Sequence, residues 1–190
     1  MSALHASARR ASGQRLRRLC TVLSLALAGA VWVRATHAQM QASEVQVKAA
    51  FIYNFALFTT WPSDAMLADA PMVLCVAAEQ PLQATLEKLT GKPVRGHRLE
   101  IRKINDGTAA GCHVLVLDEH ASASVRPDPA APVLTVSDSG KGARGSGGSG
   151  PMIALALQDN RVVFDIDAGA ARQAGLQISS QLLRLARSVR

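Results

Sequence analysis

"VKAAFIYNFALFTTWP", residues 47–62, holds Phe51, Phe55 and Phe58, three of the four Phe in the chain. It also holds the only Tyr, Tyr53, and one of two Trp, Trp61. Such a run is a core anchor, a stack for a ligand, or a surface for a partner. Ser43-Glu44-Val45-Gln46, just upstream, has the S-x-x-Q form of a capping box and starts a helix. Trp61-Pro62 should end it, because the residue before a proline is pushed out of the helical region. On that helix Phe51, Phe55, Phe58 and Trp61 follow one another at spacings of four, three and three, so they share a face, with Ile52 beside them. This face is expected to lie on the core, each large ring contributing about 2–3 kcal/mol by burial. Tyr53 falls off the face and Trp61 sits at the helix end. Both types favour sites with one apolar and one wet side, which makes Tyr53 and Trp61 the candidate contact residues.

Outward from this helix, helix and strand patterns alternate. "PMVLCVAA" (71–78), "HVLVLD" (113–118) and "PVLTVSD" (132–138) are short apolar runs expected as buried strands. "RLEIRKI" (98–104) alternates apolar and charged residues as a half-exposed strand does. "PLQATLEKLTG" (81–91) predicts a helix opened by Pro81 and stopped by Gly91. "MIALALQ" (152–158) and "RVVFDID" (161–167) flank Asp159-Asn160 and predict a hairpin. After it, "DAGAARQAGLQISSQLLRLARSV" predicts one short helix, a break at Gly175 and a longer amphipathic helix. The expected fold class is a single α/β domain, with a mixed sheet of about five to six strands covered by helices.

The N-terminus has a different character. Arg9, Arg10, Arg15, Arg17 and Arg18 form a basic stretch, residues 19–33 are apolar, and Thr36-His37-Ala38 offers small residues for cleavage before Gln39. This is the tripartite pattern of a signal peptide over residues 1–38, and its 15 apolar residues are short for a membrane span. A retained anchor is the alternative. Six of the 21 Lys and Arg precede Gln39 and none of the 14 Asp and Glu do, so the mature part (39–190) carries 15 bases against 14 acids. Six of the seven net positive charges thus belong to the export signal, and the basic footprint that a nucleic-acid partner requires is gone. No later segment is apolar enough to insert in a membrane. Export also bears on the two cysteines left after cleavage, Cys75 and Cys112, which are read as one disulfide. They lack the C-x-x-C spacing of a metal site, and both lie in apolar strand-like runs, where a catalytic thiol is not expected. A bridge closing a loop of this length is worth roughly 4 kcal/mol in the chain-entropy picture.

No other constellation carries chemistry. Asp118 ends a buried strand, as a receiver phosphoacceptor does, but the companion acids and Lys of a receiver are not placed, so it is read as a strand-end residue. Residues 137–150, "SDSGKGARGSGGSG", lack the G-x-x-x-x-G-K-[ST] phosphate loop and form a Gly/Ser-rich connection, where Lys141 and Arg144 could meet an acidic partner. His97, His113 and His120 show no zinc spacing. Ser179-Ser180 sits in no nucleophile elbow, and Ser179 is expected to cap a helix. Asp165 and Asp167, at i and i+2 of a strand, are expected to line a solvated face. No metal, cofactor or catalytic residue is assigned, and the chain is read as a non-enzyme.

The run "VKAAFIYNFALFTTWP", then "LCVAAEQPL", "LEKLTGKPVRGHRLEIRKI", "AGCHVLVL", "PVLTVSDSG", "MIALALQDNRVVFDIDAGAARQAGL" and "ISSQLLRLARSV" resembles the YfiR family in order over residues 45–189. The resemblance implies a periplasmic, homodimeric, non-enzymatic α/β repressor. Such a protein binds the periplasmic part of an inner-membrane diguanylate cyclase and lowers cyclic di-GMP output, which disfavours biofilm growth. Cys75 and Cys112 match the positions of a family disulfide. A second cysteine pair that some members carry before the hairpin is absent from this chain. The rival expectation is a periplasmic sensor module that binds a small ligand, with Tyr53 or Trp61 stacking on it.

Overall fold

The computed structural model describes residues 44–78, 80–104, 108–118, 125, 127–128, 130–138 and 150–190. The expected signal peptide, Ser43, His120, Lys141 and Arg144 lie outside the described residues.

Helix α1 covers residues 44–57 and stops short of Trp61-Pro62. Thr59 Oγ1 donates to Phe55 O at 2.8 Å, and Thr59–Thr60 (β1) leave the helix to pair antiparallel with Gln177–Ile178 (β9). Two β-branched residues in succession favour that extended turn-off. The next elements are β2 (Met72–Ala77), α2 (Gln80–Glu87), β3 (Pro93–Val94), β4 (His97–Lys103), β5 (Val114–Asp118) and β6 (Leu134–Asp138). They are followed by β7 (Ile153–Gln158), β8 (Arg161–Ile166), α3 (Ala168–Gln173), β9, α4 (Ser180–Leu183) and β10 (Ser188–Val189).

Eight strands form one sheet in the order β10-β8-β7-β6-β5-β2-β4-β3. The central run β4-β2-β5-β6-β7 is parallel throughout. Its chain order reverses between β2 and β5, the pattern of a doubly wound sheet. β8 closes antiparallel on β7 through Asp159 and Asn160, both in the left-handed region at φ 49° and 60°. That is the two-residue hairpin turn expected of this dipeptide. The sheet has more strands than the five to six expected, and the excess is β3 and β10, two residues each. Segments so short carry no periodicity to detect.

The C-terminus departs from expectation. The short helix and the break at Gly175 (φ 73°) are present, and a Cβ at Gly175 would meet Pro62 Cγ at 3.1 Å. The longer amphipathic helix is not formed. After Ser179 caps α4 by accepting from Gln181 N, one turn gives way to β10, which runs parallel to β8 with Ser188 opposite Asp165. Tertiary pairing overrides helical propensity: Arg187 donates to Asp165 through Nε at 2.9 Å and Nη2 at 2.5 Å, and Ser188 Oγ donates to Asp165 at 2.8 Å. Asp165, expected on a solvated face, is therefore only 8% exposed, and Asp167 caps α3 by accepting from Ala170 N.

The sheet has two unequal faces. All four described helices pack on one of them, where Ile52 and Phe55 of α1, Leu82 and Leu86 of α2, Ala171 of α3 and Leu182 of α4 join Leu74, Val116, Val136, Leu155 and Phe164 in a single core. The aromatic run is completed by Phe164 of β8, whose ring lies 4.9 Å from Phe55 and 5.4 Å from Phe51. On the other face Val73, Cys75, Leu115 and Leu117 are covered, among the described residues, by Ile104, Cys112, Val125 and Val133 from irregular connections rather than by helices.

The Arg187 guanidinium, with Ser188, holds the Asp165 carboxyl below the usual carboxylate range. A depressed carboxyl stabilises the fold above its unfolded value of about 3.9, and that contribution is lost as pH falls through the folded value. Arg187 is partly exposed, which discounts the pair. Asp165→Asn should cost about 1–2 kcal/mol at pH 7 in urea unfolding, and the difference from the native chain should close as pH falls below about 4.

Candidate functional site

Two places concentrate polar groups. The first is the foot of β5. Cys112 precedes the strand and is bonded to Cys75 of β2, with a Cα–Cα distance of 5.7 Å across 37 residues of chain. The next residue, His113, donates its backbone N–H to Val73 O at 2.8 Å, and its own O accepts from Leu134 N at 2.9 Å and from Trp61 Nε1 at 3.2 Å. Its Nδ1 lies 2.9 Å from Val73 N and its Nε2 3.0 Å from Ala65 O. An amide N–H only donates and a carbonyl only accepts, so Nδ1 is bare and Nε2 carries the hydrogen. The imidazole is thus neutral in the fold. Burial pushes its pKa below the usual histidine value, and the nearby His97 and Arg102 act in the same direction. His97 Nδ1 sits 2.8 Å from Ala70 O. The loop over residues 62–71 is therefore fastened to the sheet by two imidazoles.

The second place is an open groove of about 380 Å³ between α1 and α2 with the turn that follows it. Gln46, Ala50, Tyr53 and Asn54 line one side, and Thr85, Lys88, Leu89 and Lys92 the other. Tyr53 is held from below: its hydroxyl donates to Pro93 O at 2.7 Å, and Lys92 Nζ lies 5.7 Å from the ring centroid. At the end of α1, Arg95 occupies the tight β3–β4 turn (φ 51°) with Nη1 3.5 Å from Leu57 O, a favourable place for a cation at a helix C-terminus. The only nearby carboxylate on α2, Glu87, accepts from Gln83 Nε2 at 2.8 Å.

The expected contact residues thus separate. Tyr53 lies in the groove, half-buried. Trp61 is 7% exposed and bonded to His113 O, which leaves little of its ring for a partner. Asp118 ends β5 opposite Asp138 of β6, and Asp138 pairs with Lys48 of α1 at 2.8 Å. Burial pulls the Lys48 pKa down, but its bonds to Asp138 and Glu44 outweigh burial and raise it. Lys88, Lys92 and Arg95 were not singled out in the sequence. Their signal was local: residues 80–104 hold six bases and two acids, against 15 bases and 14 acids over residues 39–190. Among the described residues no group of three or more His, Cys, Asp or Glu could hold a metal ion, and no helix is long and apolar enough to cross a membrane.

The described domain is thus a mixed α/β fold with a Cys75–Cys112 disulfide and a groove lined by Tyr53, Lys88 and Lys92. A family model described as YfiR/HmsC-like matches residues 45–187, and the chain belongs to that family. Membership supports a regulator of diguanylate cyclase signalling in general terms. No curated protein matches the chain.

Removing the bridge with Cys75→Ala and Cys112→Ala together should cost about 2–4 kcal/mol in urea unfolding under oxidising conditions. His113, neutral in the fold, stabilises it above the unfolded histidine value of about 6.5 and ceases to as pH falls toward the folded value. Melting temperature should therefore drop between pH 7.5 and 5. His113→Asn, whose Oδ1 accepts from an amide without titrating, should melt lower at pH 7.5 yet lose less on acidification.

Proposed function

We propose that the protein is a periplasmic, non-enzymatic regulator that binds the periplasmic part of an inner-membrane diguanylate cyclase and represses it, lowering cyclic di-GMP output. The observation that carries this is the family match, which spans residues 45–187 and so covers nearly the whole described domain. Two features support it. Residues 1–38 have the composition of an export signal, and a structural disulfide joining Cys75 to Cys112 suits an oxidising compartment. The mechanism is differential affinity. A protein that prefers the inactive conformation of its target shifts the target's equilibrium toward that state by its difference in affinity for the two. A homodimer is part of the proposal, and light scattering of the mature chain tests it.

A second reading, a sensor module for a small ligand, draws support from the size of the groove, about 380 Å³, which falls within the range of ligand pockets. Of its two ring platforms only Tyr53 remains accessible. A ligand bound there should change the signal of the sole tyrosine and leave that of the buried Trp61 little altered.

Deleting the gene should raise cellular cyclic di-GMP, and restoring the full-length chain should lower it again, whereas a version lacking residues 1–38 should not. A diguanylate cyclase should co-purify with the tagged protein from solubilised membranes. Unchanged cyclic di-GMP in the deletion strain, with no cyclase recovered, would falsify the assignment.

A further inference from the structure

The groove between α1 and the α2–β3 turn is charged on one side only. Lys88 and Lys92 line it with no acidic residue in the lining, and Arg95, outside the lining, stands at the C-terminal end of α1. Among the described residues no carboxylate forms an ion pair with any of these three, whereas Lys48 pairs with two carboxylates and Arg187 and Arg190 with one each. The mature chain carries 15 bases and 14 acids, so this side is a local surplus and not a reflection of overall charge. Ala49, Ala50 and Leu89 add small and apolar groups to the lining, and the Tyr53 ring is fixed by its bond to Pro93 O.

We propose that this groove docks an acidic polypeptide segment of the membrane partner, with carboxylates meeting Lys88, Lys92 and Arg95 and one apolar side chain lying against Tyr53 and Leu89. The inference rests on the function proposed above in that the occupant belongs to that partner. Charge complementarity selects the acidic sign. The groove is open along its length, so a chain segment can lie in it and continue beyond its lining. An extended segment gains further contacts by continuing toward Arg95 at the end of α1. Charges at such a rim act chiefly on association rate and salt dependence, so the interaction should weaken as ionic strength rises and the Debye length contracts.

Tyr53 is the only tyrosine of the chain, so replacing it biosynthetically with 3-fluorotyrosine gives the groove a single 19F resonance. Hexaglutamate should shift that resonance in the full mature protein, with the shift diminishing at high salt and absent from Lys88→Glu/Lys92→Glu. Matching melting temperatures of the variant and the native chain would show that the charge reversal leaves the fold intact. Lys88→Arg/Lys92→Arg should retain the response. In the membrane arm, the charge reversal should lower capture of the cyclase by about tenfold at low salt. Recovery of no cyclase even by the native chain, with the hexaglutamate response present, counts against the functional assignment and supports the groove as an acidic-segment site. A resonance unmoved by hexaglutamate overturns the inference. So does an equal shift with inorganic phosphate alone, or undiminished cyclase capture by a folded Lys88→Glu/Lys92→Glu protein.

Discussion

The structure depends on two consecutive residues at the foot of β5. Cys112 ties that strand covalently to β2, and His113 ties it to everything else nearby. Its amide and imidazole both engage Val73 of β2, its carbonyl accepts from Leu134 of β6 and from the Trp61 indole, and its Nε2 holds Ala65. β2 and β5 are the neighbours between which the sheet reverses its chain order. A parallel pair there has no hairpin to fix its register, since its strands are joined only by a long crossover. The covalent bridge and the paired Val73 contacts supply at one end of the pair what a tight turn supplies in an antiparallel one. The same junction lies on the face where, among the described residues, Cys75 and Leu115 pack with Ile104, Cys112, Val125 and Val133.

The regular half of the fold was legible because its signals are local. Alternation in "RLEIRKI", apolar runs in "VLCVA" and "HVLVLD", and the Asp159-Asn160 turn each occupy a few residues and match β4, β2, β5 and the β7–β8 hairpin. The misses share a different cause. Helix α1 ends early because Thr59 and Thr60 find partners in Gln177 and Ile178, far along the chain. The last segment becomes β10 because Asp165 draws in Arg187 and Ser188. In both cases a long-range pairing overrides a helical pattern. The role of Phe164 was hidden for the same reason, since only the fold brings it to Phe51 and Phe55.

The candidate site was legible in part. Tyr53 stood out by its angular offset from the phenylalanines, and the structure keeps it away from the centre of the core. Trp61 carried the same amphipathic expectation, but its position follows from where the chain turns after α1, and that turn carries the indole to His113. The lysines of the groove could not be singled out by spacing, since an exposed Lys is the ordinary solvated case. They acquire meaning only once the turn after α2 is laid beside α1 and the groove lining is seen to hold no carboxylate.

One helix therefore serves both the core and the groove. Ala49, Ile52, Phe55 and Ala56 of α1 are buried and fix its rotation on the sheet, and that rotation fixes where Tyr53 emerges. The ring is then held by a 2.7 Å bond from its hydroxyl to Pro93 O, in the short strand β3. Little side-chain freedom is left to lose when something settles against it, which lowers the entropic cost of binding. The lysines opposite remain mobile charges on flexible stems, able to adjust to an incoming carboxylate. A rigid aromatic platform beside adaptable cations suits recognition of a segment by its charge and one side chain. The aromatic run is thus divided by geometry: its phenylalanines hold the helix in place so that its tyrosine can present a fixed surface.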